Sequence, residues 1–209
     1  MNIERIRPFL MCFWTLLRFS QAVGSCRPVF QFGKSCRIGS RCSIKVAKGS
    51  FMQFGKGVAL RDGCVVDLGK EGRLVLGDDS EIRHYSIIEC AGRVSIGNRS
   101  VIGAYNWLQG SGEIVIGNDV IIGPGVRIVS TTHDISDPDK SFSCQPLINK
   151  KVEIGSNVWV GANAVILAGT CVGDNVVVGA GALVTSDLES GGVYVGAPSR
   201  RVKEIRSNR

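Results

Sequence analysis

An aliphatic residue recurs at every sixth position of residues 152–185, and this period constrains the fold more than any other feature. The positions are Ile154, Val160, Ile166, Val172, Val178 and Val184. A period of six fits neither an α-helix nor an alternating strand, whereas three six-residue sides close one triangular turn of a coil. The repeat therefore predicts a β-solenoid in which each aliphatic side chain stacks on its equivalent in the next coil.

The same period continues towards the N-terminus as far as Phe30, with slightly longer coils. The glycines that open successive coils lie 22, 22, 20 and 20 residues apart, at Gly33, Gly55, Gly77, Gly97 and Gly117. The extra residues always follow the third side, so we expect one corner to be looser than the others. Gly155 comes 38 residues after Gly117. We expect the surplus, residues 130–151, to form a loop that leaves the wall, and long loops in compact domains are usually functional.

Composition agrees with one folded domain, with 44% apolar residues, 21% charged residues and 27 glycines. The net charge of +7 suits nucleic acid, an anionic membrane or an acidic ligand. Because the basic residues are scattered and accompany no aromatic-rich motif, we expect no nucleic-acid partner. The eight cysteines include no CxxC pair. Cys36, Cys42 and Cys64 fall in the small inward slot of the repeat, where a thiol serves as a small apolar group. We interpret the thiols as reduced, which favours the cytoplasm.

Residues 1–29 form a separate segment, ahead of a solenoid domain over 30–203 and a basic tail over 204–209. Apolar residues at helical spacing predict a short helix within residues 1–23. Its uncharged run, residues 8–17, is too short to span a bilayer. Two interpretations stay open: a cap on the first coil, or an interfacial helix with Trp14 on the inner face of the membrane.

The repeat, the ejected loop with Ser130-Thr-Thr-His-Asp134, and the closing Val195-Gly-Ala-Pro-Ser-Arg200 together resemble hexapeptide-repeat acyltransferases. The resemblance is to bacterial polysaccharide and sugar O-acetyltransferases of the galactoside/maltose and O-antigen kinds. It implies an all-β fold, a left-handed parallel β-helix, and a homotrimer with active sites between neighbouring subunits. Outward apolar residues, which we take to be Val158, Trp159 and Val177, agree with a trimer.

The activity implied by the resemblance is transfer of an acetyl group from acetyl-CoA to a sugar hydroxyl, without a metal. The acceptor would belong to a surface polysaccharide, an O-antigen or a related glycan precursor. Alternatives are a small free sugar or other small molecule as acceptor, or a noncatalytic structural β-helix. A γ-type carbonic anhydrase, which shares the fold, needs three histidines per zinc, and this chain has only two.

His133 is the predicted general base, because an alcohol is a poor nucleophile while protonated and imidazole exchanges its proton near neutral pH. Asn106 is the second catalytic candidate. It occupies a small inward slot, where an amide must be hydrogen-bonded, and similar family members carry an Asn near this point that contacts the acceptor. Either Asn106 faces the site or it is a hydrogen-bonded amide of the wall. Further acceptor contacts are expected from polar loop residues, namely Asp134, Asp137, Asp139, Gln145 and Asn149.

Coenzyme A positions come from the resemblance, residue by residue. The pantetheine-facing backbone falls on Gly161-Ala162 and Gly179-Ala180, where minimal side chains would let a ligand approach the wall. Thr185 matches a position near the nucleotide, but Ser186 stands where the family has a lysine. Arg200 and Lys203 could replace that charge at the 3′-phosphate, or could belong to a solvated basic tail.

Overall fold

The computed structural model describes residues 29–205 and shows three parallel sheets wound around one core. Seven coils each contribute one short strand to each sheet. The predicted helix within residues 1–23 lies outside the described residues, as do residues 206–209 of the basic tail. None of the helices within residues 29–205 is long and apolar enough to cross a bilayer.

The first four coils contain β1 (Val29–Phe32), β2 (Arg37–Ile38), β3 (Ser43–Val46), β4 (Phe51–Phe54), β5 (Ala59–Leu60), β6 (Val65–Leu68), β7 (Arg73–Leu76), β8 (Glu81–Ile82), β9 (Ile87–Cys90), β10 (Arg93–Ile96), β11 (Val101–Ile102) and β12 (Trp107–Gln109). The fifth coil and the loop contain β13 (Glu113–Ile116), β14 (Ile121–Ile122), β15 (Arg127–Val129), β16 (Thr131–His133), a 3-10 turn (Phe142–Cys144) and β17 (Leu147–Asn149). The last coils contain β18 (Val152–Ile154), β19 (Trp159–Val160), β20 (Val165–Ile166), β21 (Cys171–Val172), β22 (Val177–Val178), β23 (Leu183–Val184), β24 (Gly192–Val195) and β25 (Arg200–Glu204).

The strands form three faces of a triangular prism. The first face has the order β1-β4-β7-β10-β13-β18-β21, the second β2-β5-β8-β11-β14-β19-β22-β24-β25, and the third β3-β6-β9-β12-β15-β20-β23. On the first face Val29 pairs with Phe51, Phe51 with Arg73, and Arg73 with Arg93, which are steps of 22, 22 and 20 residues. Ile114 pairs in parallel with Val152 across the loop. The predicted coil lengths and the parallel solenoid are therefore confirmed.

The core is the aliphatic column that the repeat predicts. Ile154, Val160, Ile166, Val172, Val178 and Val184 are all at most 1% exposed. The small inward slots lie in the same core, with Cys64 buried and Cys36 and Cys42 half-buried. Val158 belongs to this set at 2% exposure, so its assignment as an outward residue was wrong. The position before the aliphatic points outward instead, and there Trp159 is exposed.

Backbone hydrogen bonds stack the corners between the faces from coil to coil. The second corner, which joins the second and third faces, has positive φ at Arg41, Gly63, Tyr85, Tyr105, Gly125, Asn163 and Gly181. The first corner, which joins the first and second faces, also carries a side-chain ladder. There Asp78 accepts the backbone N–H of Lys56 (2.8 Å), and Asn98 accepts that of Asp78 (2.8 Å). The third corner joins the third and first faces, and the loop leaves it. In the earlier coils the strands beside this corner are longer, with four residues in β6 and β7 and two in β20 and β21.

Candidate active site

Ser130 fixes the base of the loop to the preceding coil. It is fully buried, its hydroxyl donates to Gln109 O (2.9 Å), and the same oxygen accepts the N–H of Gly112 (3.0 Å). On the return path, Lys150 N–H donates to Ser130 O (2.9 Å). Both ends of the loop are therefore held at one point of the third corner.

The loop begins and ends as an antiparallel hairpin. β16 pairs with β17, with Thr131 opposite Asn149 and His133 opposite Leu147. Thr131 Oγ1 donates to Asn149 Oδ1 (2.8 Å). The hairpin continues beyond β16 because Asp134 N–H donates to Pro146 O (2.9 Å). The position of His133 is therefore set by ordered backbone on both sides.

The distal part of the loop is closed by its own polar side chains. Gln145 is buried, accepts the N–H of Asp137 (3.2 Å) and donates to Lys140 O (3.1 Å). Asp137 also pairs with Lys140 at 2.8 Å. Hydrogen bonds from Ser136 hold the pKa of the Asp134 carboxyl below its ordinary value. Four of the five predicted acceptor contacts, Asp134, Asp137, Gln145 and Asn149, thus have partners within the loop, and Asp139 carries an exposed carboxylate.

His133 is the last residue of β16 and is exposed. It comes three residues after Ser130, so it lies within about 10 Å of the wall at a strand rise of about 3.3 Å per residue. Within residues 29–205 its ring makes no hydrogen bond or ion pair. An imidazole in this setting is open to a substrate or to a neighbouring subunit.

Asn106 lies in the wall, at 1% exposure. Its Nδ2 donates to Gly103 O (3.0 Å), its Oδ1 accepts the N–H of Val126, and its backbone N–H donates to Ser86 Oγ (3.2 Å). Of the two alternatives that the sequence leaves open, this geometry is that of the hydrogen-bonded wall amide. A catalytic role for Asn106 stays a prediction.

The positions expected to face pantetheine come together at the second corner. Gly161 and Ala162 lie in the turn between β19 and β20, and Gly179 and Ala180 lie in the equivalent turn of the next coil. Coil stacking gives a further reason for glycine at Gly161, because a Cβ there would overlap Ala180 N. A Cβ at Gly179 would lie 2.8 Å from Val195 Cγ1. Approach of a ligand to these positions stays a prediction. The exposed methyl of Ala180 borders the open side of this corner.

The closing segment covers the end of the same corner. Leu183 N–H donates to Gly196 O (3.0 Å) and Ser199 N–H donates to Leu183 O (2.8 Å), which folds residues 195–200 over the last turn. Arg200 and Lys203 follow on β25, and both are exposed. Thr185 is also exposed but follows β23 at the third corner, away from the other predicted coenzyme contacts.

Two family models match the chain. The bacterial transferase hexapeptide model of six repeats matches residues 151–186, and the hexapeptide repeat model of succinyl-transferase matches residues 32–69. A galactoside O-acetyltransferase of Lactococcus lactis is 40% identical over 86 residues, which are 41% of this chain and 41% of that protein. The chain therefore carries hexapeptide repeats like those of bacterial transferases, and it is similar to acetyltransferases over part of its length. Its matches span about two fifths of the length of such curated relatives.

Solved structures of hexapeptide-repeat proteins share the fold. One is a hexapeptide-repeat acetyltransferase of Vibrio cholerae in complex with acetyl-CoA, with a TM-score of 0.58, 25% identity, and coverage of 63% of this chain and 70% of that one. Another is an N-acyltransferase from Bacillus cereus in complex with dTDP and coenzyme A, with a TM-score of 0.59, 23% identity and 84% coverage of each chain. The all-β, left-handed parallel β-helix predicted for this chain is the fold of the family.

This hexapeptide-repeat chain also has an outward groove that the sequence reasoning missed as a possible site. The groove, of about 180 Å³, lies on the second face beside the first corner and is lined by Asp119, Ile121, Asn157, Val158, Trp159, Asn175, Val176, Val177 and Ile205. Trp159 is 56% exposed there. The available signal was that Trp159 is the one aromatic residue of the 152–185 repeat, at an outward position.

Proposed function

We propose that this protein is an acetyl-CoA-dependent O-acetyltransferase that acts on a hydroxyl of a sugar. The finer proposal is a sugar of a surface polysaccharide, an O-antigen or a related glycan precursor. The observation that carries the proposal is the exposed His133, which lies on a hairpin anchored at both ends. The chain that holds this hairpin is similar to acetyltransferases. The similarity to a galactoside O-acetyltransferase supports a sugar as the acceptor.

In the proposed mechanism the free ring nitrogen of His133 takes the proton from the sugar hydroxyl. The sugar oxygen forms a bond to the thioester carbonyl carbon, and collapse of the tetrahedral intermediate breaks the carbon–sulfur bond. The imidazolium of His133 then returns its proton to the departing thiolate. Because the hydroxyl attacks the carbonyl directly, no acyl-enzyme is required, and backbone N–H groups would stabilise the oxyanion.

Coenzyme A would lie along the second corner of the last coils. Gly161, Ala162, Gly179 and Ala180 would contact its pantetheine arm through their backbone. Arg200 and Lys203, exposed beyond that strip, would meet its phosphates as charge-assisted hydrogen-bond donors. Thr185, at the third corner, would contact the nucleotide only if it belonged to another copy of the chain or if the nucleotide turned around the end of the prism.

The assembly we propose is a homotrimer. The hairpin that carries His133 leaves the third corner, whereas the coenzyme strip follows the second corner. Six residues of wall lie between neighbouring corners, so the two parts of the site in one chain are separated by up to about 20 Å. A site that combines the hairpin of one chain with the corner of the next would remove this separation. The exposed Trp159 and Ile121 supply apolar surface for such a contact.

We also propose that the enzyme works in the cytoplasm. The role of residues 1–23, as a cap or as a peripheral membrane contact, stays a prediction. If residues 1–23 form an interfacial helix, the protein without them should still bind acetyl-CoA. A smaller fraction of it should then be recovered with anionic vesicles. Aggregation of the deleted protein would instead favour the cap.

The test of the proposed mechanism is replacement of His133. His133→Ala should lower the rate of acetyl transfer to a sugar acceptor at least about 100-fold, because general bases contribute about 10²–10⁴-fold. Acetyl-CoA affinity should stay within a few-fold, since the proposed coenzyme strip is on another corner. Release of free thiol measures the rate, and thermal stabilisation by acetyl-CoA measures binding.

Two further variants sharpen this test. His133→Gln keeps the size and hydrogen bonding of the side chain but cannot take up the proton, so it should be as slow as His133→Ala. Gln53→Ala, on the exposed side of β4, should retain the wild-type rate. Full activity of either His133 variant would exclude His133 as the base.

A further inference from the structure

Two tyrosines stand at corner positions that have a left-handed backbone. At the second corner Tyr85 has φ +58° and Tyr105 has φ +59°. The equivalent positions of the other coils are Arg41, Gly63, Gly125, Asn163 and Gly181. A bulky residue in the left-handed region is an outlier that costs energy, and such outliers cluster at functional sites.

The corner does not need the two phenol rings. Tyr85 N–H donates to Asp62 O (3.2 Å) and Tyr105 N–H donates to His84 O (3.0 Å). Gly63 N–H makes the same contact, to Ser40 O (2.9 Å). Because backbone bonds hold the corner whether or not a side chain is present, the tyrosines call for an explanation outside coil stacking.

The rings form a flat surface that faces solvent. Their centroids are 5.3 Å apart and their planes are within 16° of parallel. Tyr85 lies against Gly63, where a Cβ would overlap the ring. Tyr105 is 66% exposed, and Gly125 adds no side chain beside it in the next coil. One aromatic face therefore remains available to a ligand.

Charged groups border these rings. Arg41 Nη2 donates to Tyr85 Oη (3.5 Å). Asp62 accepts the N–H of Ser40 (2.9 Å), and this hydrogen bond, with the neighbouring His84 and Arg41, holds the pKa of the Asp62 carboxyl below its ordinary value. These charged groups thus lie on the Tyr85 side of the ring pair, whereas the exposed face of Tyr105 lies towards Gly125. We refer to Arg41, Asp62, Tyr85 and Tyr105 together as the tyrosine corner.

The tyrosine corner lies on the same edge of the prism as the proposed coenzyme strip. Tyr105, Gly125 and Asn163 are equivalent residues of the fourth, fifth and sixth coils, and Asn163 follows Ala162. Two coils at a strand spacing of about 4.8 Å separate Tyr105 from that strip by about 10 Å. A chain of sugar rings with one hydroxyl at the strip would reach the tyrosines along this edge.

We propose that the tyrosine corner binds a pyranose ring of the acceptor glycan, about 10 Å along the prism edge from the ring that is acetylated. The apolar C–H face of a pyranose packs on an aromatic ring, and Tyr105 offers one exposed face beside Gly125. The proposal rests on the proposed function for the identity of the glycan as acceptor.

The experiment measures binding to a printed array of neutral and acidic bacterial oligosaccharides. The wild-type protein should bind a subset, and Tyr105→Gly and Tyr85→Gly should each weaken that binding at least about tenfold, as expected for loss of a stacked ring. Tyr105→Phe should bind nearly as well, because it keeps the ring. Neither glycine variant should melt at a lower temperature, since glycine suits the positive φ.

Each possible result either supports or contradicts the proposed sugar site. Absence of array binding by the wild-type protein, or undiminished binding by both glycine variants, would overturn the proposal. A smaller oligomer of Tyr105→Gly in light scattering would also overturn it, because the corner would then be a contact between copies of the chain. Thermal stabilisation by acetyl-CoA, measured in parallel, tests the proposed function separately. Glycan binding without acetyl-CoA binding would refute the transferase and leave the tyrosine corner as a sugar site.

Discussion

At the scale of single residues, Asn106 shows how a polar side chain can be part of the wall. Its side-chain amide joins two coils, because it donates to Gly103 O of its own coil and accepts the N–H of Val126 in the next. The backbone N–H of Asn106 donates to Ser86 in the preceding coil. A buried polar group with partners on both sides stabilises stacking, whereas the same group without them would be costly. This explains how an amide is tolerated in a slot where other coils carry Val126 or Ala164.

Asn106→Ala should therefore destabilise the protein. The substitution leaves the Val126 N–H without its acceptor in the core, and an unsatisfied buried group costs about 1–3 kcal/mol. Chemical denaturation measures the loss. Asn118→Ala, which removes an exposed hydrogen bond from the Asn98 N–H (2.8 Å), is the matched control and should change stability by less than about 0.5 kcal/mol. Wild-type stability of Asn106→Ala together with loss of acetyl transfer would instead identify a catalytic amide.

At the scale of elements, the loop is a hairpin built on one buried hydroxyl. Ser130 exchanges hydrogen bonds with Gln109 and Gly112 at the point where β15 ends. The sequence predicts the loop and its bounds because the period breaks there. It does not predict the hairpin, because β17 has only three residues and its pairing with β16 depends on contacts within the folded loop.

Ser130→Ala should loosen the hairpin without unfolding the solenoid. The Gly112 N–H loses its acceptor, while the backbone bond from Lys150 to Ser130 remains. We expect faster hydrogen exchange at Gly112 and Asp134, and a transfer rate lower by about tenfold if positioning of His133 loses about 1.4 kcal/mol. Acetyl-CoA affinity should not change. Ser95→Ala, on the outward side of β10, is the control and should leave both hydrogen exchange and the transfer rate at wild-type values. Equal effects of the two variants would exclude Ser130 as the anchor of the loop.

At the scale of the whole molecule, the six-residue period predicts the fold because every coil repeats the same inward pair of side chains. Because the coils are sterically equivalent, each core position can be recognised in the sequence by its recurring aliphatic residue, as at Val160 and Val178. Which residues share a corner is harder to predict. Thr185 and Ala180 are only five residues apart in sequence, yet they occupy different corners, and Val158, which was predicted to point outward, lies in the core.

Assembly provides the most demanding prediction. The protein should sediment at about three times the 22.4 kDa of one chain.

If the active site joins the hairpin of one chain to the corner of the next, two inactive variants should complement each other. The variants are His133→Ala, which lacks the base, and Ala180→Trp, which fills the exposed coenzyme strip. Each alone should be inactive. Refolded together in equal amounts, they should regain activity at about a quarter of the sites, since half of the hairpins and half of the corners are intact and they pair at random. Mixed wild-type and His133→Ala chains control for the efficiency of refolding. Trimers that form but recover no activity would mean that each site lies within one chain, and a stable active monomer would exclude the shared site altogether.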